Sequence, residues 1–277
     1  MFKSRFWAQI APTLLIMAST ECKHYHDEEY DPCLLFETYI GADKDPSKDQ
    51  MIEYPIKVLH DILSSGSVKG ETLIELSVSS SFIHILVAAD YFDNIISLQP
   101  SESDYQEAQK WLNKEPGAID HSHLTEFFCG LKDECSDCKE HEDKTRRAIK
   151  QIVRWDITKD NPLGDVVLPQ ADCVYSCSYL EPVSKDHEMY LKLLKQICSL
   201  VKIGGHLILI SVFNISYFML GQHKFSTLTC DEEFVRKALT SNGLIIERSG
   251  KEKNRYNSDL FDYEFLAYFV CRKDREV

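Results

Sequence analysis

Beginning near Leu73, short apolar runs give way in turn to stretches of helical period. Few folds other than a parallel sheet covered on both faces accept that order. Leu73–Val78 (LIELSV) reads as a buried strand, followed by a helix from Ser81 to about Asp90 and a second strand at Asn94–Gln99. Glu102–Asn113 predicts a polar-faced helix that ends before Glu115-Pro116. Thr125–Leu131 reads as partly extended, residues 132–144 as a charged loop, and Lys144–Val153 as a helix leading into Arg154-Trp155-Asp156-Ile157-Thr158. Ala171–Ser176 is the next strand. Asp186–Val201 predicts an amphipathic helix with Met189, Leu191, Leu194, Ile197 and Leu200 on its apolar face. A glycine C-cap at Gly204-Gly205 would stop that helix, and His206–Val212 would form a central strand. Asp231–Ser241 is a helix capped at Asn242-Gly243. Leu244–Ser249 and Phe261–Arg272 are spaced for an antiparallel pair.

A chain of 277 residues can bury one substantial core, and one α/β domain over residues 21–277 accounts for it, with 21–65 as an N-terminal cap. The net charge is −13, with acids and bases interspersed. That repels phosphate backbones and anionic lipid, so neither nucleic acid nor membrane is expected as a partner. Ten cysteines follow no regular ladder, and several sit in apolar runs where a thiol acts as a small hydrophobe, so they are expected to be mostly reduced. Cys129, Cys135, Cys138 and His141 offer four nitrogen and sulfur ligands, a weak zinc pattern without paired knuckles, and no metal is expected. Residues 1–20 carry Lys3 and Arg5 before an apolar stretch, which is the outline of a secretory signal. The alternative, adopted here, is an extension upstream of Met17.

Several segments are more specific than the topology. KHYHDEEYDPCLLFETYI, AQKWLNKEPGAIDHSH, AIKQIVRWDIT, NPLGDVVLPQADCVYS, LVKIGGHLILI and SYFMLGQHKFSTL, in that order, resemble the nicotinamide, phenylethanolamine and indolethylamine N-methyltransferases from His24 to Arg272. The resemblance implies a class I methyltransferase fold, Rossmann-like: a three-layer sandwich around a seven-stranded, mostly parallel sheet with an antiparallel last strand. It also implies S-adenosylmethionine as methyl donor, a small amine or pyridine as acceptor, an N-terminal helical cover, and a monomeric, cytoplasmic enzyme. Secretion would be the alternative if residues 1–20 act as a signal.

On the positions of this sequence the family's cofactor site is altered. The acid-x-Gly-x-Gly turn after the first strand reads Glu75-Leu76-Ser77-Val78-Ser79, with the acid kept and both glycines replaced. Glycine serves there because the backbone takes positive φ and approaches the methionine moiety, and a serine so placed costs roughly 1–2 kcal/mol. The bland reading is that these serines cap the next helix. The acid that grips both ribose hydroxyls is matched by Gln99, followed by Pro100. An amide cannot give two charge-assisted bonds, each worth roughly 1.5–3 kcal/mol. Leu35 and Ile40 stand where two tyrosines close over the cofactor, with Tyr39 retained. At the adenine end Asp156 and Ile157 match the acid that accepts from the adenine amino group and its backbone neighbour, Asp104 stands at a polar position and Cys177 at a small-hydroxyl one; Asp156 could alternatively cap Thr158–Asn161, and both readings can hold at once. On the acceptor side Ser211 replaces an acid, Ile215 and Phe218 stand where polar groups are expected, and Thr227 and Tyr256 offer pocket hydroxyls. No catalytic residue is assigned. Two readings stay open: a divergent methyltransferase with a weakened cofactor site, and a pseudoenzyme that keeps the fold to bind or store a ligand.

Overall fold

A computed structural model of the protein describes residues 22–25, 30–41, 46–77, 82–132 and 137–277. The signal-like segment 1–20 and Ser79 lie outside them. Among the described residues seven strands form one sheet: β1 (Thr72–Ser77), β2 (Asn94–Gln99), β3 (Ile149–Arg154), β4 (Ala171–Cys177), β5 (Val201–Phe213), β8 (Leu244–Lys253) and β9 (Phe265–Lys273). Their order is β3-β2-β1-β4-β5-β9-β8. The first five run parallel, while β9 is antiparallel to both β5 and β8. This is the sheet expected of a class I methyltransferase. β6 (Tyr217–Leu220) and β7 (His223–Ser226) form a separate hairpin that the apolar pattern did not reveal.

The central parallel strands β1, β2 and β4 are buried almost end to end, as a sheet covered on both faces requires. Helices α1 (Pro32–Tyr39), α2 (Pro46–Ser64) and α3 (Ile83–Ala88) precede or flank the first crossover. Next come α4 (Glu102–Leu112), α5 (Ser122–Gly130), α6 (Cys138–Ala148), the single turn α7 (Leu180–Val183), α8 (His187–Ser199) and α9 (Glu232–Ser241). The cap is tied to the sheet domain through Tyr39, whose hydroxyl donates to the carbonyl of Met219 at 2.5 Å. Its neighbour Ile40 offers a backbone carbonyl 2.7 Å from Nε2 of His123.

Five local expectations are corrected. Thr125–Gly130 is helical, as most of α5, and Leu131 is its C-cap. From Cys138 on, the charged stretch belongs to α6 and not to a loop: Asp137 caps the helix by accepting from the amides of Lys139 and Glu140. Arg146 closes its last turn with ion pairs to Glu142 and Asp143, one turn away. The expected helix through Val153 instead stops at Ala148, because Ile149, Ile152 and Val153 are β-branched and pair with β2. On α8 the buried face is Tyr190, Leu193, Leu194 and Ile197, rotated from the expected stripe, and Leu191 faces out. The helix ends at Leu200, so Gly204-Gly205 is not its cap. Ala171 pairs with Val201 and Cys173 with His206, which forces residues 202–205 to bulge from β5. Gly204 sits there at φ +80°, and a Cβ on Gly205 would come within 2.9 Å of the Asp172 carbonyl oxygen.

The α8 start is a local test of this reading. Asp186 accepts from the Met189 amide at 2.8 Å. Asp186→Ala should therefore lower unfolding free energy by about 1 kcal/mol, seen in urea as a lower midpoint with unchanged slope.

Candidate functional site

In an open parallel sheet a ligand cleft forms beyond the carboxyl ends of the strands, where the strand order reverses. Here that point lies between β1 and β4, and their last residues, Ser77 and Cys177, are register partners. Both line a cavity of about 960 Å³, which includes its open mouth. Its walls come from the cap (Leu35, Tyr39 and Ile40), from α2 (Met51, Ile52), from the start of α3 (Ile83, His84), and from the β5 end with the hairpin (Val212, Ile215, Phe218, Thr227). Two residues just past strand ends adopt left-handed backbone: Ser178 after β4 (φ +47°) and Asn214 after β5 (φ +55°). Strain of this kind clusters at ligand sites.

The expected site residues fall into three groups. The first is a buried chain of hydrogen bonds across β1 and β2. Ser77 donates to one carboxyl oxygen of Glu75, and Ser97 donates to the other at 3.1 Å. Ser97 in turn accepts from the Gln99 amide at 2.8 Å. Burial pushes the Glu75 carboxyl up to about 7 despite the two serine bonds. Ser77 does not take positive φ; it remains the last residue of β1, so the strain expected of a serine in a glycine turn is not incurred there. Nor does it cap α3, whose N-cap is Phe82 without a side-chain bond.

The second group lies beside β2 and β3. Asp104 is fully buried and accepts from Ser101 and, at 3.4 Å, from the hydroxyl of Tyr25 in the cap. Burial raises its carboxyl to about 6. Asp156 is partly exposed and accepts from the hydroxyl and amide of Thr158 at 2.6 and 3.1 Å, which holds its carboxyl low. It thus serves as the cap of that turn, with Ile157 packed against the core beside it. Neither Asp104, Asp156 nor Ile157 lines the cavity.

The third group is the acceptor side. Ser211 is buried and donates its hydroxyl to Glu181 of α7, which also accepts from the Val212 amide at 3.3 Å. Glu181 is 1% exposed, lines the cavity, and leaves its second carboxyl oxygen without a partner. Burial raises its pKa. A carboxylate from thirty residues earlier thus stands beside position 211. Thr227 lines the cavity with its hydroxyl unpartnered. Tyr256, by contrast, is 37% exposed and is not among the lining residues. His84 lines the cavity too; burial lowers its imidazole to about 3, so it is neutral at physiological pH, and Nδ1 has no partner.

Sequence reasoning missed Glu181 and His84. The only signal was an acid in the apolar run Tyr179-Leu180-Glu181-Pro182-Val183 and a histidine inside FIHILVA. Cys129 is disulfide-bonded, an exception to the reduced state expected. His141 sits 2.9 Å from the Leu86 carbonyl, and Cys135 lies outside the described residues. Among the described residues no three metal-ligating side chains converge, and no helix is long and apolar enough to cross a membrane.

A model of the NNMT/PNMT/TEMT family matches residues 15–274. The chain belongs to that family. Nicotinamide N-methyltransferase of Sus scrofa is 34% identical over 250 residues, covering 90% of this chain and 93% of that protein. Indolethylamine N-methyltransferase of Mus musculus is 30% identical, covering 90% and 94%. In fold the family member resembles class I enzymes at low identity. One is an S-adenosylmethionine-dependent methyltransferase from Clostridium acetobutylicum (TM-score 0.54, 13% identity, 87% of this chain and 97% of that one). Another is the N-methyltransferase NodS from Bradyrhizobium japonicum (0.53, 12%, 89% and 100%).

Proposed function

We propose that this member of the N-methyltransferase family binds a small, largely apolar molecule bearing an amine or other donor in the cavity. We further propose that it holds S-adenosylmethionine too weakly for ordinary turnover. The observation that carries this reading is the closed chain Ser77–Glu75–Ser97–Gln99. At the end of β1 the carboxylate that a cofactor would meet already has both oxygens bonded by serines. At the end of β2 the Gln99 side-chain amide donates to Ser97, and its acceptor Oε1 is buried. The residues present do not fit the cofactor in the family's manner. The acceptor side, with Glu181 and Thr227, keeps groups that would orient a donor-bearing ligand.

One observation favours the second reading, methyl transfer. Gln99 Oε1 and Asp104 Oδ1 are buried acceptors without partners, and a nucleoside's hydroxyl or amino groups would satisfy them. If S-adenosylmethionine binds, transfer rests on holding donor and acceptor in line. Glu181 would orient the acceptor, and Leu35 and Ile40 would exclude water. Calorimetric titration with S-adenosylmethionine and S-adenosylhomocysteine separates the two. Dissociation constants weaker than about 100 μM (about −5.5 kcal/mol) are expected; tighter binding would establish the enzyme reading instead.

A further inference from the structure

Lys3 and Arg5 open the chain ahead of an apolar stretch, a leader-like outline that neither the sheet nor the cavity uses. Two features of the folded chain speak for the secretory reading of that outline over an upstream extension. One is the disulfide at Cys129, a bond that forms and persists in oxidising compartments and is rare in the reducing cytosol. The thiols that stay free do not oppose it, since Cys173, Cys177, Cys198, Cys230 and Cys271 are buried. The other is a tripeptide. Of the chain's asparagines only Asn214 has serine or threonine two residues on, in Asn214-Ile215-Ser216, and no proline stands between them. That is the acceptor pattern for N-linked oligosaccharide, which requires a surface turn in a secreted protein.

The turn meets that requirement. Asn214 lies just past β5, where the chain leaves the sheet for the β6–β7 hairpin. Asn214 and Ser216 are exposed, while Ile215 between them is 5% exposed and lines the cavity. Two local bonds give the bland account of the same residues. Asn214, at φ +55°, donates from Nδ2 to Glu264 at 2.6 Å, and Ser216 donates its hydroxyl to Asp262. The two uses are compatible, because a linked sugar leaves one N–H on Nδ2 for Glu264.

We propose that this chain enters the secretory route and is N-glycosylated at Asn214. The co-substrate is an oligosaccharide carried on a polyprenyl diphosphate, presented by the transferase of that compartment. Nδ2 forms a bond to the anomeric carbon, and the bond from that carbon to the diphosphate oxygen breaks. The lipid diphosphate leaves with the electron pair, one amide proton passes to the transferase, and nothing is oxidised or reduced. Neither Asn214 nor Ser216 is a cofactor position, so the modification is independent of whether S-adenosylmethionine binds.

The test is expression of the full chain in cultured animal cells. Medium and cell lysate are each digested with peptide-N-glycosidase, then read by gel mobility and by mass spectrometry of the peptide bearing position 214. A larger form should appear that collapses to a single faster band on digestion and leaves an aspartate at position 214. Asn214→Gly, which keeps a residue at ease in left-handed backbone, should abolish the larger form, as should Ser216→Ala, whereas Ser216→Thr should keep it. Because both fractions are read, a variant that folds poorly and is retained still reports its glycan. Leu14→Arg with Leu15→Arg, which breaks the apolar stretch, should leave the chain inside the cell without sugar. A chain that reaches the medium unglycosylated, or a glycan that persists in Asn214→Gly, would overturn the site. A parent chain confined to the cytosol would overturn the whole proposal, and a glycan that survives the paired arginine change would overturn the leader.

Discussion

Ser77→Gly, Ser79→Gly and Gln99→Asp combined should tighten S-adenosylhomocysteine binding by about 10- to 150-fold. Most of that gain is expected from position 99. There the amide nitrogen is committed to Ser97, and the oxygen is one neutral acceptor. A carboxylate offers two acceptors to vicinal hydroxyls. One added charge-assisted bond is worth roughly 1.5–3 kcal/mol, which sets the range. Ser97, freed from Gln99, keeps its bond to Glu75. The glycine changes act differently. Since Ser77 is unstrained where it stands, replacing it relieves no backbone penalty. It removes the hydroxyl that seals Glu75 and lets the strand end turn. Gln99→Asp alone should thus give most of the gain and the glycine pair alone little. Unchanged affinity in the triple variant would mean that a nucleoside does not dock at the end of β2 at all.

Much of the fold could be read from local signals because those signals and the tertiary structure agree. Asn94–Gln99 is an apolar run bounded by polar residues, and it is β2 to the residue. Asp231 and Asp186 announce helix starts, and each side chain caps its helix. The misses are places where tertiary partners overrode local pattern. Ile149–Arg154 has the length of one more helical turn and a half, yet its β-branched residues pair with β2. The charged run before it carries no apolar stripe. Its helix is held by an aspartate cap and by Arg146, whose guanidinium also lies 4.1 Å from the Trp111 ring centre. The candidate site was legible as positions, not as contacts. Sequence places Glu75, Gln99 and Asp104 at strand ends and a helix start. It cannot say that serines two residues away along β1 and on the neighbouring strand would take up the Glu75 carboxyl. Glu181 was hidden for the same reason: its partners are Ser211 and Val212, distant in sequence and brought close by the β4–β5 pairing.

Glu75 also sets a second large expectation, for stability against pH. Its carboxyl ordinarily titrates near 4.5 and burial lifts it to about 7 in the folded chain. Below about pH 4.5 both folded and unfolded forms hold the proton, so the group contributes nothing to the pH slope. Between 4.5 and 7 the unfolded form ionises and the folded form does not, so it binds fewer protons and stability falls as pH rises. Above 7 both are ionised, and the folded protein carries the full cost of a buried carboxylate, about 3 kcal/mol. Glu75→Gln removes that cost and leaves a side chain that Ser77 and Ser97 can still bond. The variant should gain stability over the parent progressively from pH 5 to 8, by about 2–3 kcal/mol at the upper end, in urea unfolding followed by circular dichroism. His84 acts in the opposite sense. Its folded imidazole titrates at about 3 against 6.5, so the stability it confers is lost as pH falls below 6.5. Subtracting parent from variant at each pH cancels that contribution and isolates Glu75. A difference that stays flat from pH 5 to 8 would mean that the carboxyl is already ionised in the folded chain. The sealed β1 end would then carry a buried negative charge, held by the hydroxyls of Ser77 and Ser97.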